Sequence, residues 1–334
     1  MSPVLRPFSP SIALLGLVLA GAPASAQERF LHFGPKAAAM GGAYTAVAND
    51  TTAFYWNPAG YSFGPALQAG FQWGESNMNR GDGATFADEA SGVALGFTFM
   101  GAAGTFSRSS TSRREEDLLV SKGLRTFDLS VSILQSLPID DLVIAANVHY
   151  LRGESHELFE LFSSLPLEDR DPSSIHDRVF DSPGETSSTA SLDLAALYAP
   201  NEWLRLGLMF RRLFEPKFRT LAGGEIVLPR HARAGVAFQL PRQALLSLDV
   251  DLSAQGGGEE DWRELSVGGE KRFCGDAISL RAGLRAETGS GRGARPAFSV
   301  GAAGRVRFVL VEVAYVVSSD DRDDALWFAA TIAP

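Results

Sequence analysis

The side chains that could do chemistry in this sequence do not fall into the spacings of a catalytic or metal site. The five histidines are His32, His149, His156, His176 and His231. Their spacing matches no metal-ligand pattern, and no grouping of serine, histidine and acid indicates a hydrolase. We therefore expect no enzymatic activity, no metal and no cofactor, with His149 as a hydrogen-bonded histidine of a protein wall.

Two further features could suggest chemistry but favour structural roles. Gly289-Ser290-Gly291-Arg292-Gly293 has the glycine content of a phosphate-binding loop, yet it follows a predicted strand and opens no helix. We expect an outer loop there. The single cysteine, Cys274, has no partner for an internal disulfide, and we expect a small packed residue rather than a nucleophile.

Composition excludes several classes of protein. The chain has 334 residues, 45% of them hydrophobic, with 34 glycines and 22 phenylalanines, so it is neither disordered nor collagen-like nor stapled by disulfides. Its 39 acidic and 30 basic side chains give a formal net charge of -9. Nonspecific attraction to nucleic acid or to an anionic membrane surface is therefore not expected.

The first residues have the pattern of a secretory signal peptide. Arg6 supplies a positive start, residues 12–20 form an apolar stretch too short for a transmembrane helix, and Ala24-Ser25-Ala26 has the small-residue pattern of a cleavage site. We predict a signal peptide over residues 1–26 and a mature chain that begins near Gln27.

The apolar residues of the mature chain recur with period two, which is typical of β-strands with one apolar face. In residues 204–211, for example, leucines and Phe210 alternate with Arg205, Gly207, Met209 and Arg211. The pattern predicts fourteen strands, with ends uncertain by roughly two to four residues. They lie at 65–74, 91–99, 101–109, 124–135, 141–153, 187–199, 204–215, 231–240, 243–253, 263–273, 277–287, 296–306, 308–317 and 325–333.

Long and short connections alternate along these strands, as they do in outer-membrane barrels. We predict an all-β fold, a transmembrane antiparallel β-barrel over residues 63–334, in the outer membrane with both termini on the periplasmic side. A soluble secreted β-sandwich also alternates, but strand length, loop order and an almost uncharged apolar face favour the barrel.

Charged residues occupy the polar faces of the predicted strands in equal numbers of each sign. Mutual pairing within the barrel is the expected role, because an ion-selective pore would show a one-sided field. The positive residues are Arg205, Arg211, Arg233, Arg272, Arg281, Arg285, Arg305 and Arg307; the negative ones are Asp128, Asp193, Asp249, Asp251, Glu264, Glu270, Glu287 and Glu312.

The segment over residues 27–62 does not alternate and is rich in alanine and glycine. Fourteen strands enclose more space than their own side chains can fill, so this segment is predicted to fold inside as a hatch or plug. Its Gly41-Gly42 pair suggests a flexible joint, and we expect exchange of both glycines for valine to slow uptake while leaving the fold intact.

The same segment resembles a known family. Two stretches carry the resemblance, Gly34-Pro35-Lys36-Ala37-Ala38-Ala39-Met40-Gly41-Gly42-Ala43-Tyr44-Thr45-Ala46-Val47-Ala48-Asn49-Asp50 and Phe54-Tyr55-Trp56-Asn57-Pro58-Ala59-Gly60. They are similar to the N-terminal signature of PorV/PorQ proteins, within the FadL-type (OMPP1/FadL/TodX) transporter superfamily. The resemblance implies a fourteen-stranded barrel with an internal hatch, whose motif residues here are Gly34, Met40, Gly41, Gly42, Asn57, Pro58, Ala59 and Gly60.

The predicted long loop over residues 154–186 carries nine acidic residues against Arg170 and Arg178. A solvated surface is the favoured interpretation; bridging of divalent cations to lipopolysaccharide, or closure over the mouth as a lid, is a second hypothesis. Leu158, Phe159, Leu161 and Phe162 in this loop predict a short amphipathic helix that forms a landing patch for a hydrophobic ligand.

These features favour a nonenzymatic barrel that admits hydrophobic small molecules by diffusion past a rearranging hatch. A PorV-like scaffold that receives exported proteins in type IX secretion is the alternative, and a purely structural barrel is a third possibility. The expected partners are outer-membrane lipid, lipopolysaccharide, the insertion machinery and either a hydrophobic small molecule or an exported protein, with the chain as a monomer.

Overall fold

The computed structural model describes residues 32–80, 84–139, 141–255, 262–289, 292–318 and 324–334. The predicted signal peptide, the first five residues of the predicted hatch, and Ser290 and Gly291 of the glycine-rich motif lie outside these ranges. No helix among the described residues is both long and apolar enough to cross a bilayer.

Fourteen antiparallel strands form one closed barrel, as the alternation predicts. Each pairs with its neighbours along the chain, and β1 (Leu67–Arg80) pairs with β16 (Asp324–Ile332) to close the ring. A separate two-stranded sheet, β8 (Lys217–Arg219) and β9 (Glu225–Val227), lies in the chain between β7 (Leu204–Arg211) and β10 (His231–Leu240). The barrel strands are β1 Leu67–Arg80, β2 Ala84–Phe97, β3 Met100–Glu115, β4 Leu118–Ser136, β5 Leu142–Leu161, β6 Gly184–Asn201, β7 Leu204–Arg211, β10 His231–Leu240, β11 Ala244–Asp251, β12 Trp262–Phe273, β13 Ile278–Gly289, β14 Arg292–Val306, β15 Val309–Ser318 and β16 Asp324–Ile332.

The two faces of the strands differ in chemistry as the alternation requires. In β13, Leu280 and Leu284 point outward and are 51% and 54% exposed, whereas Arg281 between them points into the lumen and is 6% exposed. An outward apolar face suits hydrocarbon, and the closed ring gives each strand a hydrogen-bonded neighbour on both sides.

The strands are longer at one end of the barrel than the sequence predicts. We call this the loop end, and the opposite end, where β2–β3 and β12–β13 connect through short turns, the turn end. The predicted strands at 101–109 and 124–135 imply a long connection over residues 110–123. This is wrong, since β3 and β4 stay paired from Met100↔Ile133 to Glu115↔Leu118. The β3 part of this extension, residues 109–115, is polar on both faces, so alternation disappears there while the backbone ladder continues.

The amphipathic helix predicted around Leu158 is also wrong. Leu158, Phe159 and Leu161 belong to β5, which pairs with β4 without a register break up to Leu118↔Leu161. Phe162 begins a 3-10 helix, Phe162–Ser164, and its ring lies under the guanidinium groups of Arg114 and Arg170. Alternate side chains of a strand point to opposite faces, and Phe162 lies beyond the end of β5. The four side chains therefore do not form one patch.

The helix of this connection lies further along, at α3 (Pro172–Asp181) of the loop end. Asp171 caps it by accepting hydrogen bonds from the amides of Ser173 and Ser174. Its buried face contacts the outward side of β3 and β4, where Ser110 Oγ lies 2.6 Å from His176 Nδ1. Several acids of the region pair with arginines. These pairs are Glu154–Arg125, Glu160–Arg178, Asp169–Arg178 and Asp177–Arg108.

The β8–β9 hairpin folds over the lumen side of the wall at the loop end. Phe218 is fully buried there, with Leu124 and Leu151 of the wall and Leu228 of the same connection. A Cβ on Gly153 would lie 2.3 Å from the Phe218 ring, so this glycine makes room for the aromatic side chain. The hairpin therefore narrows the loop end of the lumen.

Cys274 does not have the packed position predicted for it. It is exposed, in the turn between β12 and β13, and its backbone φ is 53°. A connection this short leaves no neighbouring element that could cover the thiol.

Candidate functional site

The described part of the N-terminal segment, from His32 onward, lies inside the ring of strands. It folds as α1 (Pro35–Ala39), α2 (Ala53–Trp56) and a 3-10 helix (Pro58–Phe63). Most of its side chains are buried, and they form the main apolar cluster together with inward residues of the wall. Alanine and glycine recur in this segment because helices and turns must fit closely against the surrounding backbone.

The glycine pair of the predicted hatch motif forms a tight turn against the wall. Gly41 and Gly42 have φ of 64° and 84°, in the left-handed region that favours glycine. A Cβ on Gly41 would lie 2.8 Å from the backbone oxygen of Leu284, and one on Gly42 would meet His32. The expectation that valine at both positions leaves the fold intact is therefore wrong, because the wall backbone leaves no room at Gly41 and the His32 ring leaves none at Gly42.

The other motif residues order the segment itself. Asn57 donates to the backbone oxygens of Thr45, at 2.9 Å, and Ala196 on β6, at 3.0 Å. Its own oxygen accepts from the amide of Ala59 after Pro58 has begun the 3-10 helix. A Cβ on Gly60 would lie 1.5 Å from the backbone oxygen of Ala48, so only glycine fits at this crossing.

Arg233 is the centre of a buried ion-pair network between the wall and the segment. Its guanidinium contacts Asp251 and Glu264 at 2.9 Å each and Asp249 at 3.3 Å. It also donates to the backbone oxygen of Gly42 over 3.0 Å. Three carboxylates around one guanidinium are a costly arrangement to bury, and the bond to Gly42 gives the cluster a role in holding the segment.

Asp249 continues this attachment along the segment. It accepts hydrogen bonds from the backbone amides of Tyr44, at 3.1 Å, and Thr45, at 2.8 Å. The Tyr44 hydroxyl donates to Asp50, which fixes the following turn. The wall thus holds this turn of the segment through both its carbonyl and its amide groups.

His32 joins the same network from the start of the described chain. Its Nε2 lies 2.9 Å from Glu264 and its Nδ1 accepts from Arg285. Burial lowers the pKa of His32 to about 4, which favours the neutral ring that this donor and acceptor pattern needs.

The remaining predicted lumen residues divide between pairing and lining. Arg281 contacts Glu270 at 2.7 Å and Glu312 at 2.6 Å. Arg305 lines a polar cavity at the turn end, and the Arg205 guanidinium lies 5.3 Å from the centre of the Phe63 ring. Arg211 lies over Tyr55 of the segment, 3.8 Å from the centre of its ring.

A second polar group, formed by Asp128, His149 and Asp193, is not predicted by the sequence. The ring nitrogens of His149 lie 2.9 Å from Asp128 on one side and 2.9 Å from Asp193 on the other. Asn147 beside it donates to the backbone oxygen of Phe54 in the segment. Asp128, His149 and Asp193 come from β4, β5 and β6 in turn, so only the register of these strands shows that they meet.

Two cavities lie on opposite sides of the segment. The one toward the turn end has a volume of about 390 Å³ and is lined by polar residues, among them Lys36, Asp50 and Glu270. The one toward the loop end is smaller, about 50 Å³, and lies between Phe33, Phe54 and Tyr55 of the segment and the His149 group of the wall. The segment therefore contributes lining residues to both cavities.

Comparisons with known proteins find the fold but no sequence family. No family model matches the chain, and no curated protein matches it. A solved structure of the CymD monoaromatic hydrocarbon channel matches with a TM-score of 0.63 at 13% identity, over 91% of this chain and 97% of that one. The Pseudomonas putida toluene transporter TodX matches with a TM-score of 0.56 at 14% identity, over 90% and 96% of the two chains. At these identities the likeness establishes a shared barrel fold and nothing further.

Proposed function

We propose that this protein is a passive outer-membrane channel for hydrophobic small molecules, with the N-terminal segment as its hatch. The observation that carries the proposal is the position of the segment, which separates the two cavities and is held by hydrogen bonds and ion pairs rather than by a continuous strand ladder. Movement of this one segment would join the two spaces.

The chemistry of the barrel supports a route for neutral molecules. Arg233 and Arg281 each contact more than one carboxylate, and these compact networks offer no one-sided field to select ions. The structures that share the fold include a monoaromatic hydrocarbon channel and a toluene transporter, and this agrees with an apolar cargo. The proposal includes no enzymatic step and a monomeric barrel with both termini on the periplasmic side.

Two residues of the predicted landing patch keep that role in the proposal. Phe159 and Leu161 are 44% and 56% exposed, and strand parity places both on the lumen side of β5 at the loop end. Exposed apolar side chains at the mouth would gather a hydrophobic molecule before it reaches the hatch. Leu158 points to the other face and Phe162 is packed against arginines, so neither belongs to this version of the patch.

Uptake in whole cells tests the proposal. Radiolabelled toluene is supplied to bacteria that have an outer membrane but lack a channel of this kind. The cells either express this chain or carry an empty vector. The proposal expects faster initial uptake with the chain, and slower uptake when a disulfide between engineered cysteines ties the segment to the wall. Equal uptake in all three strains contradicts it.

The alternative, a PorV-like scaffold for exported proteins, rests on the sequence Met40-Gly41-Gly42-Ala43 of the segment. If this alternative holds, gentle extraction from the native membrane should yield complexes with secreted proteins. A structural barrel, the third possibility, expects neither complexes nor uptake.

A further inference from the structure

We infer that the cavity on the loop-end side of the hatch selects aromatic molecules that carry one neutral hydrogen-bonding group, such as phenols, over plain hydrocarbons and over aromatic carboxylates. This inference rests on the proposed channel function and names its substrate class. It is carried by the two unlike walls of that cavity.

One wall is aromatic and belongs to the hatch. Phe33 packs edge-on to Phe54 at a ring distance of 5.6 Å and lies 5.4 Å from the ring of Tyr55. Leu151 and Leu228 contribute aliphatic surface nearby. A flat ring with little polar surface fits such a wall.

The opposite wall is polar. Asp128, His149 and Asp193 line the cavity together with Ser191 and Arg211. Ser191 is 3% exposed, and its hydroxyl has no hydrogen-bond partner among the described residues. A buried hydroxyl without a partner is costly, and a ligand that supplies one removes that cost.

The charges of this wall balance, which decides between neutral and anionic ligands. Carboxylates lie at both ring nitrogens of His149, so an imidazolium that donates to both fits the geometry. With Arg211 near Asp193, two positive groups face two negative ones. A carboxylate ligand would add a third negative charge beside Asp128 and Asp193, whereas a phenolic hydroxyl adds no charge and can accept a hydrogen bond from Ser191.

The size of the cavity limits what enters it in this conformation. At about 50 Å³ it has space for a few water molecules, and an engineered cavity that binds benzene is about 150 Å³. The polar group of a ligand fits as the cavity stands, and its ring requires displacement of Tyr55 or of the β8–β9 hairpin. Recognition of the polar group would thus be linked to movement of the hatch.

The test compares three ligands that differ in one substituent: toluene, p-cresol and 4-toluate. Binding to the purified full-length barrel is measured by equilibrium dialysis, at equal detergent concentration for every protein so that partition into micelles cancels. Ser191→Ala removes the unpartnered hydroxyl, and Ser188→Ala, on the outward face of the same strand, is the matched control. Heat-modified mobility on gels confirms that each barrel is folded.

We expect p-cresol to bind about tenfold more tightly than toluene, and 4-toluate to bind most weakly. Ser191→Ala should lower the p-cresol to toluene ratio by about threefold or more, and Ser188→Ala should leave it unchanged. Equal binding of toluene and p-cresol overturns the inference but leaves the channel function standing, as does tightest binding of 4-toluate. If no ligand binds and the cells take up no toluene, the channel function fails and the inference fails with it.

Discussion

Arg233 of the barrel wall donates a hydrogen bond to the backbone oxygen of Gly42, 191 residues earlier in the chain, over 3.0 Å. The same guanidinium compensates three buried carboxylates. One side chain therefore both bonds the N-terminal segment and compensates the charge of the network, and this coupling leads to the first prediction.

Arg233→Met should destabilise the barrel by about 3–5 kcal/mol, because it leaves Asp249, Asp251 and Glu264 buried without their cation. Urea titration in detergent micelles measures the loss. Arg305→Met, at the partly open cavity of the turn end, is the control and should cost less than about 1 kcal/mol. Equal stability of the two variants would show that the network is dispensable.

Gly283→Ala should prevent the hatch from seating. A Cβ at this position would lie 2.2 Å from the backbone nitrogen of Gly41, so the wall and the segment cannot keep their present contact. We expect a lower folded yield or a barrel with raised conductance in planar bilayers. Gly304→Ala, whose added Cβ meets nothing within 4 Å, should behave as the parent chain.

Asn57→Ala should loosen the hatch without removing a charge. It breaks the bonds to Thr45 and to Ala196 on β6, each worth about 1 kcal/mol. More frequent opening events in single-channel recordings are the expected result. Asn201→Ala, which affects a turn-end cap on Trp203, supplies the comparison, and equal event rates in the two variants would argue against the role given to Asn57.

Docking of α3 on the outer wall should weaken in acid. Burial, with a contribution from Arg108, lowers the pKa of His176 from 6.5 to about 4. The pKa of His176 is lower in the folded protein than in the unfolded chain. The stability that neutral His176 contributes to the docking of α3 is therefore complete above pH 6.5 and is lost as pH falls toward 4.

Amide hydrogen exchange of α3 relative to β12, corrected for the chemical exchange rate, measures this effect at about pH 7 and about pH 4.5. His176→Asn keeps a polar partner for Ser110 but does not titrate, so its relative protection should not change between the two conditions. Acid loosening of α3 in that variant would assign the effect to another group.

The number of barrel strands follows from the sequence alone. Residues such as Leu280, Arg281 and Leu284 alternate because one face meets an apolar surrounding and the other a polar lumen, and this requirement acts on each strand locally. The N-terminal segment stands apart for a similar reason, since its small residues and Asn57-Pro58-Ala59-Gly60 lack the period of a strand.

Which side chains meet was decided by the tertiary structure. Asp128, His149 and Asp193 come together only through the register of three strands, and a shift of one residue would turn each strand's set to the other face. Pairing with β4 also places residues 158–161 in β5, although the local sequence pattern indicates a helix. Alternation reports the faces of a strand, whereas partners across strands and buried contacts such as that of Arg233 with Gly42 arise only when the barrel closes around the segment.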